Sequence, residues 1–195
     1  MERDRSRRVA GVEQHYGGAA IALHWLAAIL IVVNLALGLS MVPLAISPRK
    51  LQWYLWHKSV GITVLLLTGM RLAWRLIRRP PPPVAMPAWQ RRGAVVAHAS
   101  LYMLLVAVPV SGWLYSSATG VQVVYLGAIP LPNLVPRDRV LGDALKLVHV
   151  TLNSAMVLLV CIHVAAALKH HYVDRDATLR RMLPLGRRRK GASNR

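Results

Sequence analysis

The sequence predicts an all-α membrane protein: a bundle of four transmembrane helices with both termini cytoplasmic. Three observations carry that prediction. Four apolar runs each exceed the roughly 20 residues a helix needs to cross a hydrocarbon core. The 195 residues are 55% hydrophobic, without a single phenylalanine, so these runs and modest connections account for nearly the whole chain. The arginines cluster just outside the runs, mostly on one of the two sides the runs define.

In chain order, residues 1–15 (MERDRSRRVAGVEQH) form a polar segment carrying Arg3, Arg5, Arg7 and Arg8. The first span is expected from about Gly18 to Val42, with His24 and Trp25 near its start. It is too long for a leader peptide and lacks a small-residue cleavage site, so no cleavable signal is expected. Ser47-Pro48-Arg49-Lys50 reads as a short turn. The second span follows from about Gln52 to Ile77, with His57 near its start and Arg71 near its end. The connection RLIRRPPPPVAMPAWQRR is basic and proline-rich, and no helix continues through Pro80–Pro83.

The third span, about Gly93 to Tyr115, has His98 near its start and Pro109 inside it, where a kink is expected. Residues 116–142 form the longest loop, and VVYLGAIPLPNLV within it is apolar enough to lie along the membrane interface. The fourth span is expected from about Asp143 to Leu168. One transmembrane domain should therefore cover 16–184, leaving a basic and disordered tail at 185–195.

Charge sets the orientation. The N-terminal segment, the second connection (Arg75, Arg78, Arg79, Arg91, Arg92) and the tail are arginine-rich. The other two loops carry only Arg49, Lys50 and Lys58, and Arg137, Arg139 and Lys146. Basic residues stay inside, so both termini face the cytoplasm and short connections make neighbouring helices antiparallel. In a soluble chain a net charge of +18 would suggest nucleic acid; here the arginines flank lipid-length runs, and no nucleic acid is expected. The single cysteine, Cys161, excludes an intramolecular disulfide and the C-x-x-C-H attachment of covalent haem; it reads as a small packing residue.

The fourth span is the informative one. Its two histidines, His149 and His163, lie fourteen residues apart. That spacing is about 40° short of four helical turns and a rise of roughly 21 Å, so both imidazoles project from one face. Ionisable groups inside a bilayer are costly and mark function by default. Span direction then assigns depths: His57 and His149 toward the outside, His163 toward the cytoplasm with His24 and His98. The outer side offers one pairing, His57 with His149. On the cytoplasmic side His163 can face His24 or His98, and depth does not separate the two. Two stacked imidazole pairs suit two membrane haems, since imidazole is a strong axial ligand. Zinc would want three or four ligands at one depth, and the outer side offers only two.

Two further spacings agree with haem. Gly38 lies fourteen residues after His24, on the same face at the outer depth, where a missing side chain leaves room for a flat macrocycle. Arg71 lies fourteen after His57, near the cytoplasmic surface, where it can meet a propionate or snorkel to the interface.

The stretches ALHWL (22–26), WHKSVGI (56–62), AHASLYMLLVAVPVSGW (97–113) and HVTLNSAMVLLVCIHVAAALKHHYVDRDATLRRMLP (149–184) resemble the bacterial cytochrome b561 family, which is related to the cytochrome b subunits of nickel-iron hydrogenases and formate dehydrogenases. The likeness covers about residues 16–184, and the fourth-span motif is its most specific part. It implies axial ligands from the first and second spans and two from the fourth. Carried over, the pairs are His24 with His163 and His57 with His149, which favours His24 over His98. It further implies two non-covalent b haems, the bacterial inner membrane and electron exchange with ubiquinone, some members being proposed to oxidise superoxide at the outer face.

The remaining histidines have plainer readings. His15 sits solvated at the membrane edge; His98 is a helix-start residue or lines a propionate or quinone site; His170 and His171 anchor the interface or meet a propionate. Trp25, Trp53, Trp56, Trp74, Trp89 and Trp113 mostly fall near span ends, as in an aromatic belt. The expected function is electron transfer between a quinone and a second partner, superoxide or a redox protein. Two alternatives use the same residues: a membrane anchor and electron conduit for a peripheral dehydrogenase, and a haem-free transporter or proton relay.

Overall fold

A computed structural model describes residues 16–78, 81–82 and 84–183. The expectations for residues 1–15 (including His15), for 79, 80 and 83 of the proline run, and for the tail at 185–195 lie outside the described residues.

Four long helices dominate: α1 (Gly18–Met41), α2 (Pro48–Ile77), α3 (Ala88–Ala118) and α4 (Arg139–Tyr172). All four are long and apolar enough to cross a membrane. α2, α3 and α4 extend past the apolar runs, and at the starts of α2 and α4 a capping side chain, not hydropathy, decides where the helix begins. Ser47, read from sequence as part of a turn, is the N-cap of α2: its hydroxyl accepts from the Lys50 amide at 3.3 Å, and Pro48 occupies the first helical position. Asp138 caps α4 in the same way, accepting from the Leu141 amide at 2.9 Å. α3 continues through Pro109.

The helices alternate in direction, as the connecting bonds show. The starts of α1 and α3 and the ends of α2 and α4 share one pole, the terminal pole. There Trp25 Nε1 of α1 donates to the Met182 carbonyl at 2.6 Å, and an Arg181 guanidinium nitrogen donates to the Pro82 carbonyl at 2.8 Å. Arg180–Met182, a single 3₁₀ turn, thus ties the end of the described chain to the start of α1.

At the other pole the loop expected to lie along the interface closes into a two-stranded hairpin, β1 (Val124–Tyr125) against β2 (Ile129–Pro130). Leu126 (φ 54°) and Gly127 (φ 72°) make its turn. The left-handed conformation is unfavourable for leucine; Leu126 is held in it by donating its amide to Ser59 Oγ of α2 at 3.0 Å. Tyr125 and Thr63 share a hydroxyl contact of 3.2 Å, and Lys58 Nζ donates to the Val121 carbonyl at 3.3 Å. The hairpin therefore packs on the start of α2.

Midway between the poles, Val64 of α2, Leu105 and Val108 of α3, and Met156 of α4 form the buried core, with Leu30 and Ile31 of α1 against it. Several buried hydroxyls donate within their own helices: Thr68 to the Val64 carbonyl at 2.8 Å and Ser117 to the Trp113 carbonyl at 3.0 Å. The outward faces carry Val32, Leu39, Leu66, Met103 and Leu158, as a surface facing lipid requires. α1 packs on α2, α2 on α3 and α3 on α4, while α4 meets α1 and α2 at few points. Between those helices the bundle is open enough for something other than protein.

Candidate functional site

At the hairpin pole, α2 and α4 bring His57 and His149 face to edge, with ring centroids 6.3 Å apart and planes at 89°. Both rings line a cavity of about 490 Å³, together with Asn34, Gly61, Gly112 and Asn153. That volume lies within the range of sites built for a whole ligand.

Backbone carbonyls fix both rings. His57 Nδ1 lies 3.1 Å from the Asn34 carbonyl of α1, and His149 Nδ1 lies 3.0 Å from the Val108 carbonyl of α3. A carbonyl can only accept, so each Nδ1 carries the hydrogen and each Nε2 keeps its lone pair, the arrangement usual for a metal-binding histidine. Ser111 Oγ adds a contact to His149 Nδ1 at 3.0 Å. Asn153 Nδ2 stands 3.2 Å from His149 Nε2 and donates to the His149 carbonyl at 2.8 Å.

Two glycines make room for these rings. A Cβ at Gly38 would stand 3.2 Å from His57 Cε1, and one at Gly112 would stand 2.9 Å from His149 Cε1. Gly38 was expected at this depth; Gly112 was not singled out. Its signal was the same spacing, since Gly112 follows His98 by the fourteen residues that separate Gly38 from His24. Gly112→Ala is expected to displace the His149 ring and lower the retention of any group bound there. Gly38→Ala, with a looser contact, should do less. Retention of the bound group through purification and against a scavenger protein checks the order.

At the terminal pole three imidazoles meet. The His163 ring of α4 has His24 of α1 at 6.4 Å (planes at 70°) and His98 of α3 at 5.4 Å (planes at 74°). The structure brings both candidate partners to His163. Arg71 of α2 is within electrostatic reach of all three. Its guanidinium lies 5.5 Å from the Tyr102 ring centre, with that of Arg75 at 5.9 Å. Among the described residues Arg71 makes no pair with a carboxylate. His24 Nδ1 is buried with no hydrogen-bond partner among the described residues.

His170 stands apart from this group. Its Nδ1 lies 2.7 Å from Asp176 Oδ2 and 3.1 Å from Asp174 Oδ2, and Lys169 pairs with Asp174 at 2.7 Å. Partial burial pushes the Asp176 carboxyl up, but hydrogen bonds from Thr178 and His170 outweigh it and hold the group below the usual carboxylate range. These contacts fold the chain back after α4, so His170 serves that turn.

The donor set tests what the space could hold. An imidazole nitrogen sits about 2 Å from the metal it binds, so two rings on opposite sides of one metal have centroids about 6 Å apart. The His57–His149 and His24–His163 separations match this, and the His98–His163 separation is shorter. Two imidazole pairs, that of His57 and His149 beside an apolar cavity, with an arginine that pairs with no carboxylate among the described residues near the other, fit a flat, iron-bearing macrocycle with acidic substituents.

Known proteins resemble this chain along most of its length. Residues 15–185 match the family model described as prokaryotic cytochrome b561. Cytochrome b561 homolog 2 of Escherichia coli strain K12 is 36% identical over 177 residues, covering 87% of this chain and 92% of that protein. The protein named Probable superoxide oxidase CybB of Yersinia pestis is 32% identical over 176 residues, covering 89% of this chain and 98% of its own length. Cytochrome b562 of Cereibacter sphaeroides is 29% identical over 177 residues, with 88% and 96% covered.

Proposed function

The chain belongs to the prokaryotic cytochrome b561 family of membrane electron-transfer proteins, and from that premise we propose that it carries two b haems and moves electrons between an outer-face donor, superoxide, and ubiquinone in the bacterial inner membrane. The observation that supports this best is the pair of facing imidazoles at each pole, at 6.3 and 6.4 Å, with both α4 members on one helix face. His57 and His149 would hold the haem at the hairpin pole, and His24 and His163 the one at the terminal pole. When bound, each supplies a one-electron centre.

The chain's own residues then do four things. The Asn34 and Val108 carbonyls orient the ligand rings at the hairpin pole. Gly38 and Gly112 let those rings sit against α1 and α3. The Val64, Leu105, Val108 and Met156 cluster keeps the space between the sites dry. Arg71, which pairs with no carboxylate among the described residues, offers a positive charge for a propionate. The fourteen-residue spacing on α4 separates the two sites by roughly 21 Å, enough to pass electrons from one side of the membrane toward the other.

The choice of superoxide rests on charge as well as on likeness. Lys58 adjoins His57 and points to the loop at Val121, while Arg49, Lys50, Arg137, Arg139 and Lys146 share its pole. Of the two acids there, Asp138 is engaged in capping α4, which leaves Asp143. A positive surface beside a buried acceptor raises the encounter rate of small anions, and salt screens the effect. Haem reduction by a superoxide-generating system should therefore be fast and should slow as ionic strength rises. Lys58→Glu with Arg137→Glu should slow it further without loss of haem. Reduction indifferent to both would remove the steering argument. No reduction by superoxide, alongside rapid reduction by a co-purifying dehydrogenase, would make the chain an anchor and electron conduit instead.

A further inference from the structure

α3 supplies neither member of the proposed ligand pairs, yet it holds one of those ligands more tightly than any other helix does. Its segment Val108-Pro109-Val110-Ser111-Gly112 lies along the His149 ring: the Val108 carbonyl at 3.0 Å from Nδ1, Ser111 Oγ at 3.0 Å from the same nitrogen, and Gly112 against the ring edge. His57 has only the Asn34 carbonyl at its Nδ1. The two rings of one pair are thus unequally supported.

Ser111 is a buried hydroxyl whose second contact, among the described residues, is with a ring of the proposed ligand pairs; Ser117 has its second contact with the Leu134 amide. Thr68, equally enclosed, donates to the carbonyl one turn back, and no second contact is seen among the described residues. Ser111 makes that bond too, to the Val108 carbonyl at 2.8 Å, and then adds the imidazole contact. Because its hydrogen goes to Val108, its lone pair faces the Nδ1 hydrogen. Serine and carbonyl accept that hydrogen together. Ser111 is 5% exposed and Val108 6%, so water does not compete and the contact is strong.

We propose that Ser111 is a positioning residue for the hairpin-pole haem, acting through His149 to fix the ring's orientation and lower that haem's reduction potential. The inference rests on His149 being an axial ligand. Its chemistry follows from general behaviour: an acceptor at Nδ1–H makes the ligating nitrogen more basic, and a more basic ligand favours ferric over ferrous iron. The asymmetry means that α3 sets the electronic character of this centre from outside the ligand set.

The test uses the purified, haem-loaded full chain with potentiometric titration and the low-spin ferric electron paramagnetic resonance signals. His149→Ala first identifies which component belongs to the terminal pole. Ser111→Ala should then keep two haems per chain, raise the potential of the hairpin-pole component and alter its ferric signal, with the other component unmoved. Ser111→Thr, which keeps the hydroxyl, should return both readouts to the parent values. Two retained haems with unchanged potential and signal in Ser111→Ala would overturn the proposal, as would Ser111→Thr behaving like Ser111→Ala. If Ser111→Ala loses the haem, a Ser111→Thr protein with the parent potential supports the proposal and loss in both overturns it. A parent protein without haem would overturn the ligand reading and this inference together. A parent protein with two haems and an inert Ser111 would overturn the inference alone.

Discussion

Replacing either His57 or His149 with alanine should halve the haem content, removing the hairpin-pole haem and sparing the other. The size of the effect follows from the absence of a substitute. Among the described residues, His57 and His149 are the only imidazoles at that pole, since His24, His98, His163, His170 and His171 all lie at the other. The lone cysteine, Cys161, sits near His163, far along α4 from the vacated position. An alanine there also opens the cavity further, and the neighbouring Asn34 and Asn153 offer only amides. The single-ligand haem left behind would be weakly held and lost in purification. A pyridine haemochrome assay on each variant checks this, and two haems per chain in either would refute the pairing.

His24→Ala should likewise lose one haem, at the terminal pole, whereas His98→Ala should retain both. The sequence left these two histidines tied by depth, and only the family likeness favoured His24. The structure adds a geometric reason without removing the tie by contact, since both rings approach His163. The His24–His163 separation of 6.4 Å nearly repeats the 6.3 Å of the opposite pair, while 5.4 Å leaves less room for a metal between His98 and His163. His98 would then serve the edge of the site together with Arg71. Haem counting on the two variants separates the roles. Loss with His98→Ala and retention with His24→Ala would exchange them.

How legible this arrangement was depended on the kind of signal. The four helices were readable because lipid imposes a length and a composition, and both are local properties of the chain. That His57 should lie near His149, and His163 near both His24 and His98, could be read because fourteen residues is nearly a whole number of turns and span direction supplies the depth; the choice between His24 and His98 could not. What escaped depends on tertiary contact. The hairpin at Val124–Pro130 looked like an interfacial loop because its strands are two residues each and held largely through Ser59 and Thr63 of a distant helix. Ser111 and Asn153 gave no sign, since a serine or asparagine in a membrane helix acquires meaning only from the ring it touches. Gly112 was available in principle from its register with His98. Helix starts at Pro48 and Arg139 were set by the caps at Ser47 and Asp138, which hydropathy does not register.

The central claim is that this bundle holds two haems between facing histidines. The measurement that tests it most directly is the number of b haems per chain in the purified parent protein, by pyridine haemochrome against quantitative amino-acid analysis. The account predicts two, with both ferric centres low-spin as paired imidazoles require. One haem per chain, or none, in protein that remains folded and helical would contradict it.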